Sequence, residues 1–137
     1  MPILVDTSAV IALADRASTA HADVTAIVQS ARDTLLVPIT VLPEADYLLT
    51  TRLGVHVASA FLESLVRGDL AFELLTPADV RRSLEVIRTY AGSDIGFVDA
   101  SIVALAERLR ISHILTLDRR HFGLLRPAHR ASFDLLP

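Results

Sequence analysis

Cysteine and lysine are both absent from this sequence of 137 residues. Without cysteine the chain has no thiol nucleophile, no disulfide framework and no thiolate zinc site. Without lysine it lacks the cation of P-loop nucleotide binding, the amine of Schiff-base chemistry, and the lysine that receiver domains place beside their phosphoacceptor aspartate. All 13 basic residues are therefore arginines.

Long uncharged stretches are also absent, since the longest run without Asp, Glu, Lys or Arg is ten residues. That run is too short to span a bilayer, and Asp6 interrupts the N-terminal apolar run too early for a signal peptide. We therefore expect a soluble, cytoplasmic protein with no membrane association. Hydrophobic residues nevertheless make up 52% of the chain and the mean hydropathy is +0.48. This surplus indicates a buried parallel sheet, a subunit interface such as that of a homodimer, or both.

Charge is unevenly distributed along the chain. The formal net charge of −3 argues against a general nucleic-acid coat protein. Residues 1–50 carry six acids and two arginines, whereas residues 108–137 carry six arginines and two acids. An acidic segment beside a basic segment suits a site where a cation meets a phosphate backbone. Charge alone favours the simpler interpretation, an ordinary solvated surface.

Apolar periodicity and turn residues predict strands and helices in alternation. Val98, Ile102, Leu105 and Leu109 share one face of a helix, and Asp99 lies in its first turn. The apolar run 111–117 that follows is typical of a buried strand. Further strands are predicted at 2–6, 34–39, 70–75 and 131–135, and further helices at 9–15, 18–31, 41–52, 55–67 and 77–90. Residues 1–137 thus predict a single α/β domain with a mostly parallel central sheet flanked by helices.

Local signals add detail to three of these helices. Thr76 precedes Pro77 and is predicted to cap the helix that starts there, and Thr40 is predicted to cap the helix 41–52. In the helix 18–31 we expect Ala22, Ala26 and Ile27 to face inward.

Acidic residues fall at four junctions between predicted elements: Asp6, Glu44, Asp99 and Asp118. The ligand crevice of an open parallel sheet lies beyond the carboxyl ends of its strands, so these carboxylates are expected to converge there. Carboxylates brought that close repel one another, and a divalent cation relieves the repulsion. Oxygen ligands without cysteine or a histidine cluster select a hard ion, Mg²⁺ or Mn²⁺.

Each acid also has a purely structural interpretation. Asp6 could cap the helix that follows it, and Asp118 could be a turn residue. Glu44 and Asp99 could lie in first helical turns because the helix dipole favours an anion there. The joint pattern favours the cluster.

Two further acids compete for places in the cluster, and three hydroxyls lie beside it. Asp46 and Asp94 are not excluded by periodicity, although Asp94 lies in a predicted loop. Thr7, Ser8 and Thr116 are candidates for holding a metal-bound water or orienting a carboxylate, and Ser8 is equally suited to cap a helix.

Arginines near Asp118 are candidates for binding phosphate. Arg119, Arg120 and Arg126 could do so through bidentate hydrogen bonds, although a solvated edge is the simpler interpretation. The five histidines show no metal-ligand spacing, and we expect His121 at the surface rather than on a phosphate.

These segments resemble PIN-domain ribonucleases of the VapC type, which are toxins of bacterial toxin–antitoxin pairs. The resemblance covers positions 5 to 122, in the family's order and approximate spacing. The matching segments are Val5-Asp6-Thr7-Ser8-Ala9, Leu42-Pro43-Glu44-Ala45, Val98-Asp99-Ala100-Ser101 and Thr116-Leu117-Asp118, with Phe122 following.

The resemblance implies a Mg²⁺- or Mn²⁺-dependent endoribonuclease that cuts structured RNA such as tRNA or ribosomal RNA, and a cognate antitoxin that masks its site. It implies Asp6 and Asp99 as the chief metal ligands, with Glu44 and Asp118 completing the catalytic acidic set. Arg119 and Arg120 would hold the flanking RNA backbone, beside Thr7 and Thr116. The resemblance also implies a homodimer.

Two other functions are consistent with parts of the sequence. The apolar surplus and the helices over 41–67 would suit a non-catalytic binding module that acts only within a protein complex. Asp6-Thr7-Ser8 prompts a phosphatase that forms an aspartyl phosphate. Such an enzyme needs a second acid where this chain has Ser8, and a lysine that the chain lacks.

Overall fold

A sheet of five parallel strands forms the centre of the computed structural model, which describes residues 1–137. In chain order the strands are β1 (Ile3–Val5), β2 (Leu35–Pro38), β3 (Ala71–Glu73), β4 (His113–Leu115) and β5 (Asp134–Leu136). Their order across the sheet is β3-β2-β1-β4-β5. The predicted α/β fold with a parallel central sheet is confirmed.

The central strand β1 determines where the functional side chains meet. All three of its residues are apolar and buried, as expected for a strand with a neighbour on each side. Val5 pairs with Leu115 of β4, so Asp6 and Thr116, the next residues on the two strands, leave the sheet side by side. The carboxyl ends of β1 and β4 thereby bring together segments 110 positions apart.

Seven helices connect and cover the strands. They are α1 (Thr7–Ala14), α2 (His21–Ser30), α3 (Val41–Leu53), α4 (Val55–Arg67), α5 (Pro77–Thr89), α6 (Phe97–Leu109) and α7 (Arg119–Leu124). Gly68 ends α4 with φ +84°, a left-handed conformation that favours glycine. None of the helices combines the length and the apolar composition needed to cross a membrane.

Helix α6 is buried more completely than its sequence pattern predicts. Its residues Ala100 to Ala106 are all buried, whereas periodicity predicts one buried stripe. The reason is that α6 packs against both α5 and the sheet strand β2, so more than one of its faces is covered. The backbone around Asp99, in the first turn of α6, is therefore held firmly.

Two local predictions are wrong. Thr40 makes no capping hydrogen bond, because its hydroxyl pairs with that of Ser101 on α6 at 2.6 Å. On α2, Ala22 and Ala26 are exposed and Val24 is the fully buried residue, whereas the third predicted residue, Ile27, does pack against the core. Burying valine instead of alanine removes more apolar area from water, which favours this rotation of the helix.

Candidate active site

A cleft of about 590 Å³ opens at the carboxyl ends of β1 and β4. All four acids predicted at element junctions line it. Asp46 and Asp94, the competing acids, do not. Its lining residues are Asp6, Thr7, Ser8, Ile11, Ala12, Asp15, Ser18, Thr19, Glu44, Leu48, Arg52, Asp99, Leu117 and Asp118.

Asp6 is held by hydroxyl groups at the floor of the cleft. Thr116 donates a hydrogen bond of 2.7 Å to its Oδ2, and Ser8 donates one of 3.0 Å to the same oxygen. The hydroxyls are themselves held by backbone amides, Thr116 by that of Asp118 and Ser8 by that of Leu117. Asp6 forms no side-chain capping bond to α1, so the helix-cap interpretation does not account for its carboxylate.

Asp99 and Asp118 approach one another across the ring of His121. Nδ1 of His121 lies 2.8 Å from Oδ2 of Asp118 and 3.3 Å from Oδ2 of Asp99. The backbone N–H of His121 also donates to Oδ1 of Asp118, which caps α7. Asp118 is therefore both a helix cap and a lining residue of the cleft. Asp99, Asp118 and His121 each have one atom that could bind a metal ion, and these three atoms lie within 4.8 Å of one another.

Burial and mutual repulsion raise the pKa values of two of these acids. Burial is the main cause of the raised pKa of Asp6, and the charge of Asp118 adds to it, although the hydroxyls of Thr116 and Ser8 oppose the shift. Burial, followed by the charges of Asp6 and Asp118, raises the pKa of Asp99 to about 6. His121 opposes that shift and Glu44 adds to it. Without a cation, the cluster thus resists carrying its full negative charge.

One face of α3 supplies the wall of the cleft. Glu44, Leu48 and Arg52 follow one another at intervals of four residues, so they lie on the same side of the helix. Glu44 is exposed at the rim and forms no hydrogen bond or ion pair. Arg52 is the only cation among the lining residues, and it also has no polar partner.

Sequence reasoning missed Arg52, Asp15 and the role of His121. The four-residue spacing from Glu44 would have identified Arg52 once Glu44 was accepted as a site residue. Asp15 follows the last residue of α1 and lines the cleft. His121 was expected at the surface, but its side chain is only 19% exposed because α7 starts directly after Asp118 and turns residue 121 back over that carboxylate.

The four residues predicted to contact RNA lie in different environments. Thr116 is 1% exposed and does not line the cleft, so its hydroxyl orients Asp6. Thr7 lines the cleft. The guanidinium of Arg119 donates to the backbone carbonyl of Pro137, and Arg120 is exposed without a polar partner.

The composition of the cleft fits a hard divalent cation. The groups in it that can bind a cation are carboxylates, and burial together with the charge of neighbouring carboxylates raises the pKa values of Asp6 and Asp99. In addition, the buried hydroxyl Oγ1 of Thr7, on the cleft wall, has no hydrogen-bond partner. A cation that carries bound water would neutralise the carboxylates and offer that hydroxyl a partner.

A second concavity, of about 510 Å³, has a different character. Most of its lining is apolar, and it has no group of acids. Its apolar lining residues include Val10, Leu13, Val28, Val57, Phe61 and Leu70. The acidic cleft, rather than this concavity, therefore has the groups that chemistry needs.

Comparisons with known proteins identify the family to which the chain belongs. The PIN domain family model matches residues 3–125. Ribonuclease VapC26 of Mycobacterium tuberculosis is 38% identical over 135 residues, which are 98% of this chain and 100% of the relative.

Solved structures show the same fold. The crystal structure of Mycobacterium tuberculosis VapC20, a Sarcin-Ricin loop cleaving toxin, matches with a TM-score of 0.80 and 23% identity over 85% of this chain and 90% of that one. VapBC2 from Rickettsia felis, bound to a DNA fragment from its promoter, matches with a TM-score of 0.71 and 13% identity over 100% of both chains.

Proposed function

Because the chain belongs to the PIN-domain family, among its VapC-type ribonucleases, we propose that it is a divalent-metal-dependent endoribonuclease toxin. Its substrate would be structured RNA such as tRNA or ribosomal RNA, in which it hydrolyses phosphodiester bonds. The observation that carries the proposal is the convergence of Asp6, Glu44, Asp99 and Asp118 in one cleft.

The four acids would share the work of holding the ion and orienting water. We propose that Asp6 and Asp99 are the chief ligands of Mg²⁺ or Mn²⁺, and that Glu44 and Asp118 complete the set. When bound, the ion would neutralise negative charge that develops on the phosphoryl oxygens. Glu44, at the rim, would orient the attacking water, whose oxygen bonds to phosphorus as the phosphodiester P–O bond breaks. Thr116 and Ser8 hold Oδ2 of Asp6 in place, so that this carboxylate would be oriented to bind the ion.

RNA would enter along the wall formed by α3. Arg52 lies eight residues beyond Glu44, which is about 12 Å along the helix axis, so it would bind a phosphate at some distance from the cleaved bond. Arg119, Arg120 and Thr7 remain proposed contacts to the RNA backbone.

Assembly and location form the rest of the proposal. We propose that a cognate antitoxin masks the cleft and that the chain forms a homodimer, because large apolar side chains such as Val66, Leu74 and Tyr47 are exposed. An RNA substrate implies the cytoplasm. Residues 1–137 would make up one nuclease domain.

Cleavage of total cellular RNA by the purified chain tests the function. We expect a few discrete cuts that require Mg²⁺ or Mn²⁺, and their new 5′ ends would identify the substrate. Asp99→Asn should abolish them. Asp94→Asn is the matched control: Asp94 lies outside the cleft in a left-handed conformation (φ +58°) that asparagine also accepts, so cutting should persist.

The opposite result is equally informative. Cleavage by a folded, nuclease-free preparation of Asp99→Asn would contradict the assignment of the site. A folded wild-type chain that binds the metal but cuts no RNA would favour the alternative, a non-catalytic binding module of a toxin–antitoxin complex.

A further inference from the structure

Thr40 begins a row of residues on α3 that leads into the cleft. Its backbone already has the conformation of a right-handed helix (φ −68°, ψ −24°), so the four-residue spacing of Glu44, Leu48 and Arg52 extends back to it. Thr40 therefore lies one helical turn, about 5.4 Å along the axis, before Glu44 and on the same side of the helix. Its hydroxyl does not cap α3 and has a different partner.

That partner belongs to the helix that carries Asp99. Oγ1 of Thr40 lies 2.6 Å from Oγ of Ser101, a fully buried residue of α6. Ser101 donates its only hydroxyl proton to the backbone carbonyl of Val98, at 2.7 Å, so Thr40 is the donor in the bond between the two hydroxyls. Val98 and Ser101 stand on either side of Asp99 in the first turns of α6. The chain of hydrogen bonds therefore connects the start of α3 to the backbone that holds Asp99.

The hydroxyl pair is the direct polar link between two helices that otherwise pack on different neighbours. Helix α3 packs mainly against α1 and α4, whereas α6 packs mainly against α5. No ion pair and no other hydrogen bond joins residues 40–53 to α6. The two helices nevertheless carry like charges that line one cleft, Glu44 on α3 and Asp99 on α6, and these repel each other. The link therefore opposes a separation that the charges favour.

We propose that Thr40 is a positioning residue, whose hydroxyl acts through Ser101 to hold the carboxylates of Glu44 and Asp99 at the separation that suits one divalent ion. The inference rests on the proposed function, since it assigns the ion to those carboxylates. Thr40 does not line the cleft, so it acts only through its neighbours. Groups that orient metal ligands typically contribute about 10–100-fold to metal affinity, and Thr40 should lie at the lower end because it acts through a second side chain.

Titration with Mn²⁺, followed by electron paramagnetic resonance, tests the inference without relying on cleavage. Thr40→Val keeps the size of the side chain but removes its hydroxyl, and it should weaken Mn²⁺ binding about 10-fold. Thr40→Ser, which keeps the hydroxyl, should bind Mn²⁺ like wild type. Thr51→Val is the matched control. It also removes a hydroxyl from α3, but one whose hydrogen bonds stay within that helix, so the affinity should not change.

A double-mutant cycle distinguishes positioning from a general loosening of the fold. Glu44→Gln removes one of the two charges whose separation Thr40 is proposed to set. In that background Thr40→Val should lower the Mn²⁺ affinity by less than about 2-fold, because residues that act as one unit are not additive. An effect on overall stability alone would instead lower the affinity equally in both backgrounds.

Three results would overturn the inference. Equal affinity of Thr40→Val and wild type would remove the positioning role and leave the proposed function intact. An undiminished effect of Thr40→Val in the Glu44→Gln background would show that Thr40 does not act on Glu44. Failure of the folded wild type to bind Mn²⁺ would overturn the metal centre, and the inference with it. If Thr40→Val does not fold, Ser101→Ala breaks the same link from α6 and should show the same loss of affinity and the same dependence on Glu44.

Discussion

The carboxyl group of Asp99 shows how strongly this cleft disfavours negative charge. Its pKa is raised to about 6 by burial and by the charges of Asp6 and Asp118. Repulsion between these groups destabilises the fold. Binding of a cation should therefore stabilise the folded protein, because the cation removes the repulsion. The metal-free and metal-bound proteins should therefore respond differently to pH.

We predict that Asp99→Asn stabilises the metal-free protein at neutral pH. Because the folded-state pKa of Asp99 lies above its ordinary value of 3.8, the stability linked to its proton is complete below about pH 4 and is lost as pH rises through 6. Asparagine has no proton to lose. With chelator at pH 7.5, the variant should unfold with a free energy about 2 kcal/mol higher than wild type, after allowance for partial solvent exposure.

Urea unfolding at two pH values checks this prediction. The difference between variant and wild type should shrink at pH 4.5, where the wild-type carboxyl is protonated. Added Mg²⁺ should stabilise wild type much more than the variant, since the variant lacks a proposed ligand. A variant that is less stable than wild type at pH 7.5 in chelator would show that Asp99 is not under electrostatic strain.

At this scale the sequence predicts the four acids but not their supporting contacts. Asp6, Glu44, Asp99 and Asp118 are visible because each adjoins an element boundary, and parallel strands bring such boundaries to one edge. By itself, no local sequence signal predicts that His121 and Arg52 lie at the site. The place of His121 depends on how α7 brings its ring near Asp99 of α6, and that of Arg52 on which face of α3 borders the cleft.

Among the elements, α5 and α6 are joined by an ion pair between a buried carboxylate and a partly exposed arginine. Asp79, on α5, is 3% exposed and accepts hydrogen bonds of 3.1 and 3.0 Å from Nε of Arg108 on α6. Asp79 also forms the capping box of α5 with Thr76. The pair fixes the helix that carries Asp99 against its neighbour.

Removing the arginine should therefore destabilise the fold. We predict that Arg108→Met lowers the free energy of unfolding by about 2 kcal/mol, because it leaves the buried carboxylate of Asp79 without its cation. Arg88→Met, an exposed and unpaired arginine on α5, should change it by less than about 0.5 kcal/mol. Denaturant unfolding of both variants provides the comparison, and equal effects would show that the ion pair has no specific value.

The capping of α5 illustrates the limit of prediction for the elements. Thr76 before Pro77 predicts the start of this helix correctly, because the cap depends on neighbouring residues only. Thr40 fails as a cap because a distant residue, Ser101, takes its hydroxyl. The pairing of Asp79 with Arg108, 29 positions away, is equally hidden from a local pattern. Short-range signals thus predict element boundaries, whereas tertiary contacts decide what the polar side chains do.

Across the whole molecule, the charge asymmetry of the sequence is only partly available for RNA. Arg108 pairs with Asp79, Arg130 with Asp134, and Arg126 donates to backbone carbonyls. Much of the basic C-terminal segment is thus occupied within the fold. The one cation in the acidic cleft, Arg52, comes instead from the first half of the chain.

This distribution predicts that RNA binding depends on few arginines and on their position more than on total charge. In the Asp99→Asn background, which should not cut RNA, Arg52→Gln is expected to weaken binding of a single-stranded RNA several-fold at low salt. It should also reduce the slope of log K against log[salt] by about 0.7, the value for one lost phosphate contact. Arg81→Gln, which removes an exposed, unpaired arginine outside the cleft, leaves the slope unchanged if RNA binds through the cleft.

Equal losses in the two variants, measured by fluorescence anisotropy across a salt series, would instead mean that RNA is attracted by charge spread over the surface. The path along α3 would then have to be abandoned, while the acidic centre could still stand.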